Sequence, residues 1–377
     1  MRIPAPILAL MLATSPASAR ADTEFVEIPL DTPQGRYAAV ALGDLDGDGR
    51  PELVSGRRDG EQGLVLFRRE DGTWRRTEIR PDGEYGGVAI ADVTGDRVPD
   101  VIAVRGSGEP RGLEIVATSV DGGKLGFSAV PSPYTEKSCD DLAVGDIEGD
   151  GDIDIAITTG GAGVRVLVNE GKARRFRVLT LETHTYEDTG IGFGDVNGDG
   201  RLDVIAGNHP RKNPWLFLCS RAGEVTYDAG HPEVLDAPGI GFEVVVRDFD
   251  RDGKADAAIG TSHGLRLFIG NGCSGPKTDW WSLVSVEDRS TPAVQVAVGD
   301  IDGDGELDIV FPSDAGLRVV SHRGKRRFAS LELEGLPRQG ELSGCALGDI
   351  DGDGDIDIAV SSLQGHGVRL FENRSGP

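Results

Sequence analysis

Short apolar runs separated by polar turns recur along the whole chain, and their length and spacing predict strands. The runs Tyr37–Leu42 and Leu53–Ser55 flank one short acidic segment, and Val294–Val298 and Leu307–Phe311 flank another. Runs of this length bounded by Gly, Pro and Asp are typical of β-strands, so each acidic segment is predicted to be a hairpin loop.

Each hairpin is followed by further strand-like runs. The third runs are Leu64–Phe67, Leu113–Val116, Val164–Val168, Trp215–Leu218, Leu265–Ile269, Leu317–Val320 and Val368–Phe371. Fourth runs, often with an aromatic residue near the start, are Trp74–Ile79, Phe127–Val130, Phe176–Leu181, Trp281–Val286 and Phe328–Leu333. We therefore predict an all-β fold with four strands in most units.

The acidic segments define an internal repeat. Nonapeptides such as DLDGDGRPE and DIDGDGDID begin at Asp44, Asp92, Asp146, Asp195, Asp248, Asp300 and Asp349, with spacings of 48 to 54 residues. Seven matches at a nearly constant period indicate a repeat architecture. Four strands in about 50 residues form a propeller blade, so the sequence predicts a seven-bladed β-propeller of four-stranded antiparallel blades.

The two ends of the chain predict how the ring closes. The last repeat stops soon after its third run, whereas a strand-like run, Phe25–Leu30, precedes the first repeat. If that run is the outer strand of the last blade, the ring is closed and an unpaired sheet edge is removed. No segment of linker composition interrupts the repeats, so we predict that residues 22–377 form a single propeller domain.

These acidic loops, each followed by an apolar strand, resemble the FG-GAP/VCBS repeat family of integrin-α-like propellers, a fungal seven-bladed lectin and many secreted bacterial proteins. The resemblance covers essentially the whole chain after its first 21 residues. It implies the propeller fold and bound metal, but not a particular ligand, because members of one fold bind different partners.

The loops carry the ligands that Ca²⁺ prefers. Positions one, three, five and nine of each nonapeptide offer side-chain oxygens and position seven a backbone carbonyl, and Ca²⁺ takes six to eight such oxygens. Clustered carboxylates repel one another unless a cation lies between them. The predicted ligands are Asp44, Asp46, Asp48, Arg50 and Glu52; Asp92, Thr94, Asp96, Val98 and Asp100; Asp146, Glu148, Asp150, Asp152 and Asp154; Asp195, Asn197, Asp199, Arg201 and Asp203; Asp248, Asp250, Asp252, Lys254 and Asp256; Asp300, Asp302, Asp304, Glu306 and Asp308; Asp349, Asp351, Asp353, Asp355 and Asp357.

We predict up to seven bound Ca²⁺ ions, with an affinity that differs between the loops. The second loop has Thr94 at position three and Arg97 in place of a glycine, and it is predicted to bind most weakly. The first loop ends in Glu52 and the fifth has Arg251 at position four, and both are expected to bind.

The first residues of the chain indicate where the protein is located, and its charge bears on the partners it can bind. Residues 1–21 combine Arg2, an apolar stretch and small residues around Ala19, which predicts a signal peptide and a secreted, periplasmic or cell-surface protein. The formal charge is −24, with 39 basic and 63 acidic residues. This excess of acid lies mainly in the loops. We expect a monomer with neither a nucleic-acid partner nor a membrane span.

Four cysteines are too few for a disulfide scaffold. Cys219 and Cys273 occupy similar places in consecutive repeats, so a disulfide between them is possible. Cys345 lies in an apolar run and is expected to be a buried thiol.

Three functions remain open, and all use the loops on the face opposite the metal loops. The predicted residues of that face include Arg57, Tyr85, Arg105 and Asp141. The first hypothesis is a binding module for an extracellular protein or matrix partner, and the second is a lectin. The third is a polysaccharide lyase, in which His184, Tyr186, His209 and Arg211 would serve as base, acid and carboxylate-binding groups. The loops on that face differ between blades, which favours one asymmetric surface over seven equivalent sugar sites. The sequence contains no nucleophile elbow, zinc motif or nucleotide fingerprint, so catalysis is the least favoured hypothesis.

Overall fold

A computed structural model gives the fold of the chain. The structure describes residues 23–32, 35–58, 63–107, 111–161, 163–181, 190–207, 213–220, 224–232, 234–237, 241–284, 286, 293–313, 316–324, 326–331, 333, 335–337 and 342–374. The predicted signal peptide and all four lyase candidates, His184, Tyr186, His209 and Arg211, lie outside the described residues.

Seven antiparallel sheets follow one another along the chain, which confirms the predicted seven-bladed propeller. Six sheets have four strands and one has three. From the inner to the outer strand, the first three blades are β2 (Tyr37–Gly43), β3 (Glu52–Arg57), β4 (Leu64–Glu70) and β5 (Thr73–Arg80); β6 (Glu84–Ala91), β7 (Asp100–Ser107), β8 (Gly112–Asp121) and β9 (Lys124–Val130); and β10 (Cys139–Gly145), β11 (Asp154–Thr159), β12 (Gly163–Asn169) and β13 (Phe176–Leu181).

The remaining blades complete the ring. They are β14 (Ile191–Gly194), β15 (Asp203–Ala206) and β16 (Trp215–Phe217); β17 (Gly241–Arg247), β18 (Asp256–Thr261), β19 (Gly264–Gly270) and β20 (Trp281–Val284); β21 (Ala297–Gly299), β22 (Asp308–Ser313), β23 (Gly316–His322) and β24 (Phe328–Leu331); and β25 (Gly344–Gly348), β26 (Asp357–Ser361), β27 (Val368–Asn373) and β1 (Phe25–Ile28). A short 3-10 helix, Lys277–Asp279, precedes β20.

Burial explains why the apolar runs form strands. The second strands β3, β11, β18 and β22 are buried along their whole length, because each lies between neighbouring blades. The outer strand β5 alternates between exposed and partly buried positions over its first five residues, and within β5 only Ile79 is fully buried. Seven clusters of buried apolar side chains fill the spaces between blades, and each cluster combines residues of two adjacent blades. The core is therefore a ring of interfaces rather than one central cluster.

Glycines in the first strands allow the blades to approach closely. A Cβ atom added at Gly194 would lie 2.2 Å from Cγ1 of Val246 in the next blade. Real side chains do not tolerate that distance, so glycine is required where blades four and five meet near the axis.

The N-terminal strand closes the ring, as the sequence predicts. β1 pairs with β27, with Phe25 opposite Asn373 and Ile28 opposite Leu370. The Phe25 side chain is 2% exposed and packs between blades six and seven. At the surface, Arg369 contacts Glu27 through two hydrogen bonds of 2.7 and 2.6 Å.

In the part of blade four that the structure describes, no regular fourth strand follows β16. Two isolated bridges, Leu216 with His231 and Cys219 with Tyr227, cover the outer side of β16. The turn at Asp228 interrupts this pairing, because its carboxylate accepts hydrogen bonds from the backbone N–H groups of Leu218 (3.2 Å) and Gly230 (3.0 Å). A short segment without strand periodicity thus protects this edge.

The structure records all four cysteines as free thiols, so the possible Cys219–Cys273 disulfide is not formed. The thiol of Cys273 instead donates to the carbonyl of Val196 at 3.4 Å. Cys345 is buried and its thiol donates to the carbonyl of Val310, as expected for a core thiol. No helix among the described residues is long and apolar enough to cross a membrane.

Candidate metal centre

The first carboxylate of each acidic loop organises the turn. Asp44 accepts hydrogen bonds from the backbone N–H groups of Gly47 (2.7 Å), Asp48 (3.1 Å) and Gly49 (2.9 Å). Asp146 and Asp349 make the same three contacts in their loops. Gly47 and Gly49 have φ angles of 76° and 88°, which glycine adopts without strain.

The third and fifth positions add similar local contacts. Asp46 accepts from the N–H of Asp48 at 3.1 Å, and Asp48 accepts from the N–H of Arg50 at 2.8 Å. Both hydrogen bonds use Oδ1 of the accepting carboxylate. The loop backbone therefore holds these carboxylates in place.

The ninth carboxylate has a second role that the sequence did not reveal. In all seven loops it is buried and accepts a hydrogen bond of 2.7 to 3.0 Å from the backbone N–H at position two. In four blades its other oxygen accepts from a backbone N–H of the third strand, at 2.7 to 3.1 Å. In blade four the donor is the N–H of Cys219, two residues beyond β16, at 2.7 Å. This residue ties the metal loop to the sheet, which a ligand count alone does not show.

Burial raises the pKa of these ninth carboxylates. The pKa is about 7 for Asp154, Asp203, Asp308 and Asp357 and about 6 for Asp256. Removal from water is the main cause, and the N–H donors oppose it only in part. A cation in the loop would favour the charged form that burial disfavours.

Four loops bring three acidic side chains together, with ligand atoms within 4.8 Å of one another. They are Asp44, Asp46 and Asp48; Asp248, Asp250 and Asp256; Asp300, Asp302 and Asp304; and Asp349, Asp351 and Asp353. The second loop has Thr94 at position three, and the fourth has the neutral Asn197. In the third loop, the charge of Glu148 adds to burial in raising the pKa of Asp154.

The loops also contain buried oxygens that have no protein partner. They include Oε2 of Glu148, Oδ1 of Asn197, Oδ1 of Asp300 and Oδ2 of Asp302. Two of these four lie in the sixth loop. A buried oxygen without a donor is costly unless a ligand supplies the missing interaction. These carboxylate and amide oxygens are the hard donors that suit Ca²⁺, so the residues present fit that ion.

Side chains from the same or the next blade bring positive charge to some loops. In the first loop, Arg68 contacts Asp46 at 2.9 Å. In the fifth, Arg326 of blade six contacts Asp250 at 2.9 Å and Asp252 at 3.2 Å, and also donates to Asn271 at 3.0 Å. In the second, Lys172 of blade three donates to the carbonyl of Gly95 at 3.3 Å. These basic side chains lie outside the nonapeptides, so the loop sequences do not reveal them.

Buried asparagines link the loops across blades. Asn169 donates to the carbonyl of Val93 in the second loop at 2.9 Å and to that of Ile153 in its own blade at 3.1 Å. Asn373 makes the equivalent contacts with Ile301 and Ile356. The metal loops are thus parts of the interfaces between blades.

On the opposite face, several side chains that looked available to a ligand are buried. The Arg57 guanidinium lies 5.2 Å from the centre of the Tyr37 ring, and Arg105 lies 5.3 Å from that of Tyr85. Tyr85 also donates to Glu114 at 2.6 Å. Arg57 and Arg105 are only 3% and 6% exposed, so they stabilise blades one and two from within.

Asp141 and Glu243 occupy equivalent places in the first strands of blades three and five. Burial raises the pKa of Asp141 to about 7, and the pKa of Glu243 is also raised by burial and by the nearby charge of Asp141. Gln295 of blade six lies 3.5 Å from Glu243. These groups are inside the ring and not on an exposed loop.

The fold and the repeated acidic loops define a β-propeller built from sequence repeats. A profile of the FG-GAP-like repeat matches residues 44–103, 146–206, 248–311 and 300–360, which together include all seven acidic loops. Because these matches cover more than half of the chain, the protein belongs to the FG-GAP-like repeat family.

Two further comparisons bear on the protein. No curated protein matches the chain in sequence. Among solved structures, a lectin from Agrocybe aegerita, described as recognising non-reducing terminal N-acetylglucosamine, is similar in fold, with a TM-score of 0.55. The match covers 90% of this chain and 95% of the lectin at 20% sequence identity. At that identity the likeness concerns the fold alone.

Proposed function

We propose that this protein is an exported, calcium-loaded binding module that recognises a protein, matrix component or glycan outside the cytoplasm. The observation that carries the metal assignment is the sixth loop, where buried oxygens of Asp300 and Asp302 have no protein partner. Family membership and the fold of a lectin support a binding role.

Calcium would act in this protein as a structural ion. The predicted ligands at positions one, three, five, seven and nine would hold it, and its charge would offset the repulsion between their carboxylates. Because each loop also contacts the next blade, metal in the loops would stabilise the ring as a whole. The opposite face would then be a fixed platform for a ligand.

A glycan is the more specific candidate for that ligand. The reason is the lectin of similar fold, whose described ligand is terminal N-acetylglucosamine. The low identity gives no support for the same sugar in this protein.

Metal analysis and thermal unfolding test the calcium assignment. Protein purified without chelator should contain several Ca²⁺ per chain, and EDTA should lower the melting temperature because the ion binds only the folded state. Asp300→Asn combined with Asp302→Asn should remove about one ion, whereas Asp92→Asn in the weak second loop should change the ion count least. Metal-free protein whose melting temperature ignores EDTA would refute the assignment.

A glycan array probed with and without EDTA tests the binding role. Glycan binding that is lost when EDTA removes calcium would support a lectin. An array without signal, together with capture of a matrix protein, would support the protein-binding alternative. N-terminal sequencing of the exported protein should find a chain that starts after Ala19 or Ala21. An intact N-terminus on a cytoplasmic protein would contradict the proposed export.

A further inference from the structure

A cleft of about 700 Å³ lies between blades two and three. One wall is the segment Val130–Pro133, which follows β9, and the other is the turn between β12 and β13 of blade three. Thr94 and Asp96 of the second acidic loop form one end. The volume is within the range of sites that hold small ligands in proteins.

The turn of blade three gives the cleft a positive charge. Lys172, Arg174 and Arg175 all line it, and Lys172 and Arg174 are exposed. Arg175 contacts Glu170 at 2.7 Å, so part of its charge is already balanced. Among the described residues that line the cleft, Asp96 is the single carboxylate. The lining therefore carries a net positive charge in a protein whose formal charge is −24.

The turn of blade three differs from the corresponding turn of blade six in how its basic side chains are used. Both turns contain a Gly–Lys pair followed by basic residues, and each has a residue with φ near 60°, Ala173 at 59° and Arg326 at 58°. In blade six that residue is Arg326, and its guanidinium is used by Asp250 and Asp252 of the neighbouring loop. In blade three the buried methyl group of Ala173 takes this place. Lys172 keeps one contact with a metal loop, to the carbonyl of Gly95 at 3.3 Å, but an uncharged carbonyl does not balance its positive charge. Lys172 and Arg174 both line the cleft.

The wall from blade two is apolar and rigid, with Pro131 and Pro133 lining the cleft. Phe176, at the start of β13 in blade three, adds an aromatic ring, and these apolar rings can pack against the C–H faces of a sugar. Ser132 fixes the wall, because its hydroxyl donates to the carbonyl of Leu113 and also accepts from the N–H of Tyr134 at 3.2 Å. The two prolines have no N–H group, so this wall has few main-chain donors for an added peptide strand.

We propose that this cleft binds a short carbohydrate that carries carboxylate or sulfate groups. Lys172 and Arg174 contact the anionic group, Arg175 adds charge at the rim, and the proline and phenylalanine rings contact the sugar. This inference rests on the proposed binding function, and it adds a site of stated ligand class on the side of the ring that carries the metal loops, in addition to the platform on the opposite face. Long polyanions bind less well, since the acidic loops around the cleft repel them.

Isothermal titration of the calcium-loaded protein with tri-galacturonate and with a sulfated disaccharide tests the proposal. A neutral trisaccharide and an acidic peptide of equal charge are the controls. We expect one site for an anionic sugar, weakened by salt. The two anionic sugars separate carboxylate from sulfate recognition.

Substitutions locate the site. Lys172→Ala combined with Arg174→Ala should weaken binding about 10- to 100-fold, the range for losing one or two charge-assisted hydrogen bonds. Arg327→Ala, at the corresponding exposed turn of blade six, should leave affinity within about twofold. If the double variant is unfolded, Arg174→Glu alone should abolish binding, because it reverses one exposed charge.

Three results would overturn the cleft assignment: no binding of either anionic sugar, equal binding by the double variant and the wild type, or tighter binding of the acidic peptide. Calcium-dependent binding of a neutral glycan or a protein would leave the proposed function intact in each case. If the protein contained no calcium and bound no ligand, both the cleft assignment and the proposed function would be overturned.

Discussion

The closing strand offers the sharpest test of the propeller. Phe25 belongs to β1, which is separated in sequence from the rest of its blade by more than 300 residues, and its ring is 2% exposed. The ring packs among buried side chains of blades six and seven, including Ile301, Val310 and Phe371. Replacing a buried phenylalanine by alanine removes about 3–5 kcal/mol, through lost transfer free energy and the cavity that remains.

We therefore expect Phe25→Ala to lower the free energy of unfolding by about 3–5 kcal/mol, a large fraction of the 5–15 kcal/mol typical of a folded domain. Phe328→Ala is the matched control, because Phe328 is 3% exposed and begins the outer strand of blade six. It should cost a similar amount. Leu283→Ala, on the outer strand of blade five and 47% exposed, should cost less than about 0.5 kcal/mol.

The assay is urea unfolding in excess calcium, followed by tryptophan fluorescence and circular dichroism. A Phe25→Ala variant within about 0.5 kcal/mol of wild type, with Phe328→Ala destabilised, would show that β1 does not close the ring. Deletion of Phe25–Leu30 should also expose the outer edge of β27 and cause aggregation. A soluble deletion variant of unchanged stability would refute the same reasoning.

Three further predictions concern the loops. In EDTA, the unfolding free energy should increase as the pH falls from about 8 to 6, because carboxylates with a pKa of about 7 when folded and about 4 when unfolded bind protons preferentially in the folded state. Melting temperatures in EDTA that fall over this range would contradict it. Arg326→Gln should destabilise the calcium-free protein by about 1 kcal/mol and increase calcium affinity at the fifth loop, whereas Arg327→Gln should do neither. Unchanged calcium titrations for both variants would argue against competition between Arg326 and the ion. Asn169→Ala should cost about 2–3 kcal/mol in chemical unfolding, since the carbonyls of Val93 and Ile153 lose their donor, and Glu170→Gln on the exposed turn is its control. Equal stability of the two variants would refute that assignment.

Much of the architecture was predictable because the relevant signals are local. Strand patterns, the acidic nonapeptides and their period are properties of segments shorter than one blade, so the sequence indicated seven blades and the place of the closing strand. The repeat of blade four has no fourth apolar run, and the described part of that blade has no regular fourth strand, so sequence and structure agree here. The carboxylate turns follow equally from local chemistry, since Asp and Gly at fixed positions favour them.

Contacts between blades were not predictable in the same way. Arg326 and Asp250 are 76 residues apart, as are Asn169 and Val93. The sequence pattern does not indicate which basic or amide side chain of one repeat will reach the loop of the previous one. The same holds for the face opposite the metal loops, where Arg57 and Arg105 looked exposed but are buried against aromatic rings.

The sequence by itself therefore determined the repeat, the strand order, the closure of the ring and the positions of the acidic side chains in the loops, because each depends on residue types within a single unit. Only the tertiary structure decided which loops contain buried oxygens without a protein partner and which loops contact a basic side chain from outside the nonapeptide. It also decided where a basic cleft opens between two blades. The physical reason is that these features depend on how adjacent blades pack, and packing brings together side chains that are a full repeat or more apart in the chain.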